Sequence, residues 1–561
     1  MAVVARGERT GPGRGRSMGR GAWAAGLASL LALALALRLW SIDHGLPFAY
    51  NQDEELHFVP VAVDFFLGSY NPGYFENPPA LSYLFHAVFR VWFTEGFPWG
   101  AGGFRRAYLA DPSDALLVAR VVVAVLGTLA TGLVAWAGAR FFDRRVGLVA
   151  GLVFACAFLP VFYSKQALND VVTLVPLTVG LVACLGAYER GRGRDWLLAG
   201  AALGAACATK YTAGAMAVTV CVAAALRVLE RRDGVVRSAA WLVGAGAAFT
   251  LAFLLLNPFA VVDFAEFKSQ LGGQSVQAGA NAKLGQDAVP GWFHYLRTLT
   301  WGLGWAPALA ALAGAGLALR RHPGRALLLV VFPVIFALFL SVQARWFGRW
   351  LLPAYPALCV LAGYAAVRLA DALPLRGRPR GLVLAALALV LAGQGLASPV
   401  RVDRVLGRTD TRAQARAWLV AGVPAGTRVV VEPFVPAGYL RLGGQDGPQR
   451  YDRWLVRRPF QAYEKRLAPE LIDDYRRGGY CWVVVGSHQR ARGLKARLAG
   501  ARAYYARLDA ESALTWVWSP YREGAAPVPF SFDLSFNYLP PAYERPGPLV
   551  EAHRLEGCRP A

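Results

Sequence analysis

The sequence AWAAGLASLLALALALRLW occupies residues 22–40. Nearly every residue in it is apolar, and its length is about what a helix needs to cross ~30 Å of hydrocarbon. Similar runs recur at Ala115–Ala139 and Gly381–Ala397. Of the 561 residues, 56% are hydrophobic, above the ~45–50% that is typical of soluble domains. The sequence therefore predicts a polytopic α-helical membrane protein.

Apolar runs of this kind set the number of expected membrane crossings. They predict about eleven transmembrane helices, at residues 22–41, 115–138, 146–163, 170–187, 195–209, 211–227, 238–257, 294–319, 326–343, 351–369 and 381–398. The fifth and sixth runs are the shortest of the set. An odd number of crossings would place the two ends of the chain on opposite sides of the membrane.

Arginines alternate with the spans and predict the orientation. Five of them precede the first span, and further groups follow spans two, four, six, eight and ten. Basic connections are retained in the cytoplasm, so the Gly/Arg-rich tail at residues 1–20 is expected to be cytoplasmic. This topology accounts for the net charge of +23, and no nucleic-acid partner is expected.

The span pattern divides the chain into three parts. Residues 1–20 form the basic tail, residues 21–399 a transmembrane domain, and residues 400–561 a region without a spanning run. Two long connections in the transmembrane domain, at residues 42–114 and 258–293, are expected on the outer side. The odd number of spans predicts that the last region is extracytoplasmic as well.

The last region has the pattern of a soluble domain of mixed α and β type. Short β-branched and aromatic runs at Arg428–Val431, Cys481–Val485 and Leu514–Trp518 alternate with charged, helix-like stretches. Cys481 and Cys558 would share an oxidising compartment there, in which disulfides can form. Two cysteines alone leave their pairing open.

The densest polar cluster follows the first span and contains Asp53 and Glu54. A carboxylate at the membrane surface can act as a general base, taking the proton of an attacking hydroxyl or amine within hydrogen-bond reach. The alternative is a solvated loop without chemistry. Glu76 and Asn77 form a second polar group in the same connection, ahead of two prolines that fix a turn.

Two further polar groups interrupt the apolar runs on the expected outer side. Lys165 and Asp170 lie in a short hairpin between spans, and Lys210 and Tyr211 separate two later runs. A cation within or beside the membrane is costly and therefore marks a functional site by default. The alternative for Lys210 is that its ammonium group reaches the lipid head groups.

Arg345 and Arg349 stand on the expected outer side, where positive charge is scarce. Guanidinium groups suit phosphate oxygens because they donate two parallel hydrogen bonds. A base, phosphate-binding cations and a lipid-accessible surface together are what an enzyme needs to use a lipid-phosphate-linked sugar.

Four motifs, in this order along the chain, resemble those of the GT-C superfamily of membrane glycosyltransferases. They are Asp53-Glu54, Phe75-Glu76-Asn77-Pro78-Pro79, Lys210-Tyr211 and Arg345–Pro353. The resemblance is strongest to the protein O-mannosyltransferase and aminoarabinose transferase group, glycosyltransferase family 39, and covers roughly residues 20–400. It implies an inverting single displacement with Asp53 as the general base. Asn77 departs from the pattern, since lysine is common there, and a candidate phosphate contact is lost.

The resemblance also implies the partners. The donor would be a sugar on a polyprenyl phosphate in the lipid bilayer, and the acceptor a protein, a lipid or a glycan. No cofactor is expected to be required, although some relatives bind a divalent metal, for which Glu76 and His294 would be the candidate ligands. The Arg-, Gly- and Ala-rich composition suggests a GC-rich bacterium, hence an undecaprenyl-type carrier and a location in the plasma (inner) membrane.

Two other functions fit many spans and interfacial cations. A transporter or flippase of lipid-linked sugars needs no carboxylate cluster in its first outer connection, and the repeated halves typical of transporters are not evident in this sequence. A ligase or polymerase of lipid-linked glycans would be an enzyme with its site on the same side of the membrane.

The alternating charges generate a prediction for the end of the chain. A reporter that is active only outside the cytoplasm should be active when fused after Ala561, because an odd number of spans separates this end from the basic tail. A cytoplasm-only reporter at the same position should be silent. A signal from it would mean that one span has been miscounted.

Overall fold

The structure is a computed structural model, and it describes residues 18–95, 100–433, 435, 455–457, 466–535 and 538–560. Most of the predicted cytoplasmic tail, residues 1–17, lies outside these ranges.

Helices dominate the first 400 residues. Within the described ranges, nine helices are long and apolar enough to cross a membrane. They are Arg20–Leu39, Ser113–Phe141, Asn169–Arg190, Tyr211–Leu229, Val235–Leu256, Gly291–Arg321, Pro323–Ser341, Gly348–Ala372 and Arg378–Gly422. The predicted class, a polytopic α-helical membrane protein, is confirmed.

Five of these nine helices are composed of consecutive segments. The segments are Asn169–Val172 and Leu174–Arg190; Tyr211–Ala217 and Val218–Leu229; Gly291–Leu299, Thr300–Gly304 and Trp305–Arg321; Gly348–Ala354 and Tyr355–Ala372; and Arg378–Leu406 and Thr411–Gly422. The boundary predicted at residue 399 falls inside the helix Arg378–Leu406, which therefore extends beyond the last apolar run.

The remaining two predicted spans are also helical but shorter. The first is broken at Ala157, between Arg144–Cys156 and Phe158–Tyr163. The second is Gly193–Thr209, which has 17 residues. It packs directly against Val235–Leu256, because a Cβ at Gly200 would lie only 2.0 Å from the carbonyl oxygen of Ala245. Small residues allow such close backbone contact between membrane helices.

The two long connections contain short helices rather than extended loops. Those of the first connection are Glu54–Phe58, Val59–Asp64, Phe65–Leu67, Ala80–Phe89, Arg90–Glu95 and Gly100–Ala110; those of the second are Phe259–Val262 and Phe264–Ala280. Phe58, Phe85 and Phe89 are buried in the first connection. This connection therefore has a packed apolar core of its own, which fixes the polar residues at its start.

The C-terminal region contains a five-stranded mixed sheet. The strands are β1 (Arg428–Val431), β2 (Leu455–Arg457), β3 (Trp482–Gly486), β4 (Ser512–Trp518) and β5 (Val550–Leu555), in the order β2-β1-β3-β5-β4. Strand β1 is parallel to β2 and β3, and β5 is antiparallel to β3 and β4. Besides Thr411–Gly422, the described part of this region contains the helices Leu471–Arg477, Ser487–Lys495 and Ala499–Ala510. The predicted mixed α/β region is confirmed.

Alternate side chains of the strands fill two separate cores. Val484 packs on one face with Leu419 of the helix Thr411–Gly422, and Val483 packs on the other with Tyr504, as the period of two in a strand requires. A disulfide joins Cys481 to Cys558. The pairing that the sequence left open is therefore present, and it ties β3 to the segment after β5.

A C-terminal segment reaches back into the helical part of the molecule. Tyr538 is buried against Phe158 and Trp301, and its hydroxyl lies 2.7 Å from that of Tyr163. Arg401, in the last long helix, donates a hydrogen bond of 2.8 Å to the carbonyl of Leu539. The sheet region is therefore anchored to the membrane helices by aromatic packing and hydrogen bonds.

Candidate active site

Asp53 lies where the first long connection turns into its first short helix. Its backbone N–H donates to the side-chain oxygen of Asn51 at 3.0 Å. The amide of Asn51 in turn donates to Gln166 at 2.6 Å, across from the hairpin between two later helices. These bonds fix the Asp53 backbone, while its side chain stays 33% exposed and open to a ligand.

The carboxylate of Asp53 forms an ion pair with Arg349. The imidazole of His57 lies one helical turn away, with its Nε2 3.9 Å from the other carboxylate oxygen. Burial raises the pKa of Asp53, but the charges of Arg349 and His57 outweigh it and lower the pKa below its usual value. Asp53 is therefore ionised at neutral pH and able to accept a proton.

Arg349 connects Asp53 to a second carboxylate. Its Nε lies 3.8 Å from Asp170, and Asp170 also pairs with Lys210. The positive and negative charges alternate along this row of four residues, in which Asp170 is only 3% exposed. The structure thus brings four of the predicted site residues together: Asp53, Asp170, Lys210 and Arg349.

Glu54 points away from Asp53 and into the protein. It forms an ion pair with Arg120 at 2.7 Å, and both side chains are 1% exposed. Its Oε1 also accepts the backbone N–H of Ala167 at 2.8 Å. Arg120 donates its remaining bonds to the carbonyls of Ile42 and His44. A buried, fully partnered carboxylate cannot touch a substrate, so Glu54 is corrected from a catalytic to a positioning residue.

Lys165 is likewise a structural residue in this structure. Its ammonium group donates to the carbonyls of Leu37 and Trp40 and lies 3.2 Å from Asp403, and it is 1% exposed. Burial lowers its pKa to about 8 despite the nearby Asp403 charge. It fastens the end of the first helix to the last long helix. This corrects its prediction as a substrate-binding residue.

The second polar group of the first connection lies beside Asp53. The ring of Tyr74 stacks on His57, with centroids 4.5 Å apart, and its hydroxyl accepts a bond from Asn77 at 2.7 Å. Tyr211 donates to the carbonyl of Phe75 at 3.0 Å. Asn77 and Tyr211 therefore order this segment, which carries Glu76.

Two cations near Asp53 have no carboxylate within ion-pair distance among the described residues. Arg345 makes only a long bond of 3.4 Å to the carbonyl of Asn281. Lys283, from the second long connection, has its pKa lowered to about 8 by burial and by Arg345 and Arg492, whereas Asp53 opposes the shift. Sequence reasoning did not select Lys283. Its signal was that it is one of only two cations in residues 258–293.

His294 belongs to a different neighbourhood from Glu76. Its Nε2 lies 3.3 Å from Asp533, and its ring packs on Trp346 at 4.8 Å. No three His, Cys, Asp or Glu side chains group as metal ligands anywhere in the described ranges. The predicted metal ligands Glu76 and His294 therefore do not fit a metal site here. No step of the reaction is assigned to a metal ion.

The site combines a solvent-accessible carboxylate with cations of two kinds. Arg349 and Lys210 are engaged by carboxylates, whereas Arg345 and Lys283 are free to take up negative charge. Such an arrangement can bind an anionic group next to a base, which is the geometry that a transfer to a hydroxyl requires.

Known proteins share both the fold and part of the sequence. The family model of dolichyl-phosphate-mannose-protein mannosyltransferases matches residues 112–261. A candidate glycosyltransferase of Streptomyces coelicolor is 28% identical over 357 residues, which cover 61% of this chain and 76% of that protein.

ArnT from Cupriavidus metallidurans, solved with bound undecaprenyl phosphate, superposes with a TM-score of 0.53 at 15% identity and covers 95% of this chain and 98% of its own. The chain has the GT-C fold. The archaeal oligosaccharyltransferase AglB from Archaeoglobus fulgidus agrees, with a TM-score of 0.56 at 14% identity over 89% of this chain and 73% of its own. The resemblance to GT-C enzymes drawn from the motifs is confirmed.

These similarities extend to the class of protein. A GT-C fold with nine candidate spans in the described part of the chain makes this a multi-pass membrane protein. The family match and the Streptomyces relative both support glycosyltransferase activity.

The Glu54–Arg120 pair generates a stability prediction. Glu54→Gln should lower the free energy of unfolding by ~3–5 kcal/mol, because it leaves a buried guanidinium without its partner. Thermal unfolding of the purified protein in detergent measures the loss. The double variant Glu54→Gln, Arg120→Met removes the stranded charge and should recover part of it. A single variant as stable as wild type would show that the pair is not buried in solution.

Proposed function

We propose that this protein transfers a sugar from a polyprenyl-phosphate carrier to an acceptor on the outer face of the plasma membrane. The reaction would be an inverting single displacement with Asp53 as the general base. The acceptor oxygen or nitrogen attacks the anomeric carbon of the sugar, its proton passes to Asp53, and the polyprenyl phosphate leaves. The observation that carries the proposal is an accessible, ionised Asp53 beside unpaired cations in a GT-C fold.

The ion pair to Arg349 bears on how strong a base Asp53 is. In the free protein Arg349 lowers the pKa of Asp53, which makes the carboxylate a weak base. A donor phosphate would attract the same guanidinium, since arginine forks match phosphate oxygens. Once Arg349 also interacts with the phosphate, it lowers the pKa of Asp53 by less, and Asp53 becomes a stronger base. Donor binding would thus activate the base.

The phosphate would be held first by the cations that lack a carboxylate partner. Arg345 and Lys283 are half-buried and lie in the same electrostatic neighbourhood as Asp53. Lys283 supplies the charge that the family pattern places at position 77. Lys210 is engaged by Asp170 and would serve mainly to hold Asp170 and Arg349 in place.

The carrier class is supported by the two structural neighbours. ArnT was solved with undecaprenyl phosphate and AglB with a dolichol phosphate and an inhibitory peptide. We extend only the lipid-phosphate donor to this chain. A transporter or flippase is disfavoured because the matching family model is that of mannosyltransferases and the Streptomyces relative is a candidate glycosyltransferase. A ligase of lipid-linked glycans would use the same fold and the same base.

The central prediction concerns Asp53. Asp53→Asn keeps the shape of the side chain but cannot accept the proton, so transfer from a polyprenyl-phosphate sugar should fall ~10²–10⁴-fold. Binding of undecaprenyl phosphate should persist, which separates loss of chemistry from loss of the site. Glu54→Asp, which keeps a carboxylate at the buried pair, serves as the control for the loop. A monodisperse Asp53→Asn protein with more than about a tenth of wild-type turnover would overturn the assignment of Asp53 as the general base.

The phosphate contact of Lys283 predicts a pH dependence. With a pKa of about 8, Lys283 is charged at pH 7 and largely neutral at pH 9. The KM for the donor should therefore rise across this range, approaching the ~tenfold or greater weakening expected when a bond to a charged group is lost. The donor phosphodiester does not titrate there.

Two variants isolate the effect. Lys283→Gln should have the high KM at both pH values, and Lys283→Arg, whose guanidinium stays charged, should keep a low KM at both. A rise with pH that is the same in wild type and Lys283→Arg would exclude Lys283 as its origin.

A further inference from the structure

A cavity of about 1060 Å³ lies between the membrane helices and the C-terminal region, and neither Asp53 nor Arg349 lines it. Small-molecule sites usually measure ~300–1,000 Å³, so this cavity can hold a ligand of considerable size. Tyr163 and Tyr538 separate it from the candidate active site. Tyr538 forms part of the cavity wall, and Arg349 lies over the ring of Tyr163 at 5.8 Å. The cavity is therefore a second site.

The cavity lies at the boundary between hydrocarbon and water. The helices Gly291–Arg321 and Arg378–Leu406 contain 31 and 29 residues, about ten more than a crossing of ~30 Å needs. Trp301 and Arg401 both line the cavity. Each lies in the part of its helix that exceeds this length, at the end away from the arginine-rich end of that helix. Tryptophan is enriched at this depth of a membrane.

The lining combines aromatic rings with excess positive charge. Its charged residues are three cations and one carboxylate: Arg297, Arg401, Lys495 and Asp287. Lys495 is paired with Asp287, and Arg401 donates to two carbonyls. The guanidinium group of Arg297 has neither an ion pair nor a hydrogen bond among the described residues, and the side chain is exposed. The lining can therefore neutralise an anionic group.

We propose that this cavity binds an anionic lipid. Arg297 and Arg401 would hold its phosphate, since guanidinium groups bind phosphate oxygens in parallel pairs. The first part of its chain would lie against Trp301 and Phe158. Basic pockets between membrane helices bind lipid head groups in the same way. The phosphate could belong to a membrane phospholipid or to a free polyprenyl phosphate, and the experiment distinguishes the two.

The test measures how much lipid the purified full-length protein retains. The protein is reconstituted in phosphatidylcholine nanodiscs that contain either phosphatidylglycerol or undecaprenyl phosphate, then extracted and analysed by native mass spectrometry. The double variant Arg297→Gln, Arg401→Gln should retain about tenfold less of the anionic lipid, as expected for lost charge-assisted contacts. The control Arg320→Gln, Arg321→Gln removes two arginines from the opposite helix end and should retain as much as wild type.

A second variant fills the cavity without removing charge. Ala491→Trp, on the helix Ser487–Lys495 of the cavity wall, should displace the lipid while the membrane helices stay unchanged. This variant replaces the double variant in the test if loss of the hydrogen bonds from Arg401 to the C-terminal segment unfolds the protein. Ala491→Ser is its matched control.

Each arm has a deciding outcome. Phosphatidylglycerol that is retained by wild type and lost from both variants identifies a phospholipid site. In the undecaprenyl phosphate arm, wild type should bind two molecules of this lipid, one in the cavity and one in the proposed donor site. A fall to one bound molecule in both variants identifies the cavity as a polyprenyl phosphate site. Retention that neither variant changes in either arm overturns the proposal. Asp53→Asn should leave all retention unchanged, so the result does not depend on the proposed chemistry.

Discussion

The buried pair of Glu54 and Arg120 is the interaction on which the position of the site depends. A charge removed from water is stable only with a partner and further hydrogen bonds, and both side chains have them. Glu54 thereby joins the end of the first helix, the helix Ser113–Phe141 and the hairpin at Ala167. Because Asp53 precedes Glu54 directly, the three elements that Glu54 joins also fix the position of the Asp53 carboxylate.

The same requirement sorts the other charges around the candidate site into two groups. Lys165 and Lys210 are paired within the protein and stabilise helix contacts. Among the residues that the structure describes, Arg345 and Lys283 have no carboxylate at ion-pair distance, so their charge is available to an external anion. Arg349 belongs to both groups, since it is paired yet lies beside an exposed carboxylate. Whether a cation is paired with a carboxylate therefore distinguishes the structural cations from those that can bind a ligand, and the number of cations does not.

The sequence was sufficient for the helices and for the presence of a mixed sheet, because these depend on hydrophobic period and length. It also indicated Asp53 and Arg349, which lie 296 residues apart and meet in the structure. Composition and spacing alone did not separate Asp53 from Glu54, since the two carboxylates are adjacent in the sequence and differ in the direction they face; only the family resemblance selected Asp53 as the base. Lys283 was missed for a related reason. The fold places it near Asp53, and no motif in its own segment indicates this position.

The burial of Tyr538 between membrane helices has a consequence for biogenesis. Tyr538 follows the last long helix by more than one hundred residues and lies in the wall of the cavity between the membrane helices and the C-terminal region. A chain whose spans have all been inserted therefore still lacks this wall until the sheet region has folded and returned its tyrosine to the membrane boundary. Insertion of the spans and completion of this wall are therefore separate events. A chaperone or protease that acts on the sheet region would also control when the membrane part is complete.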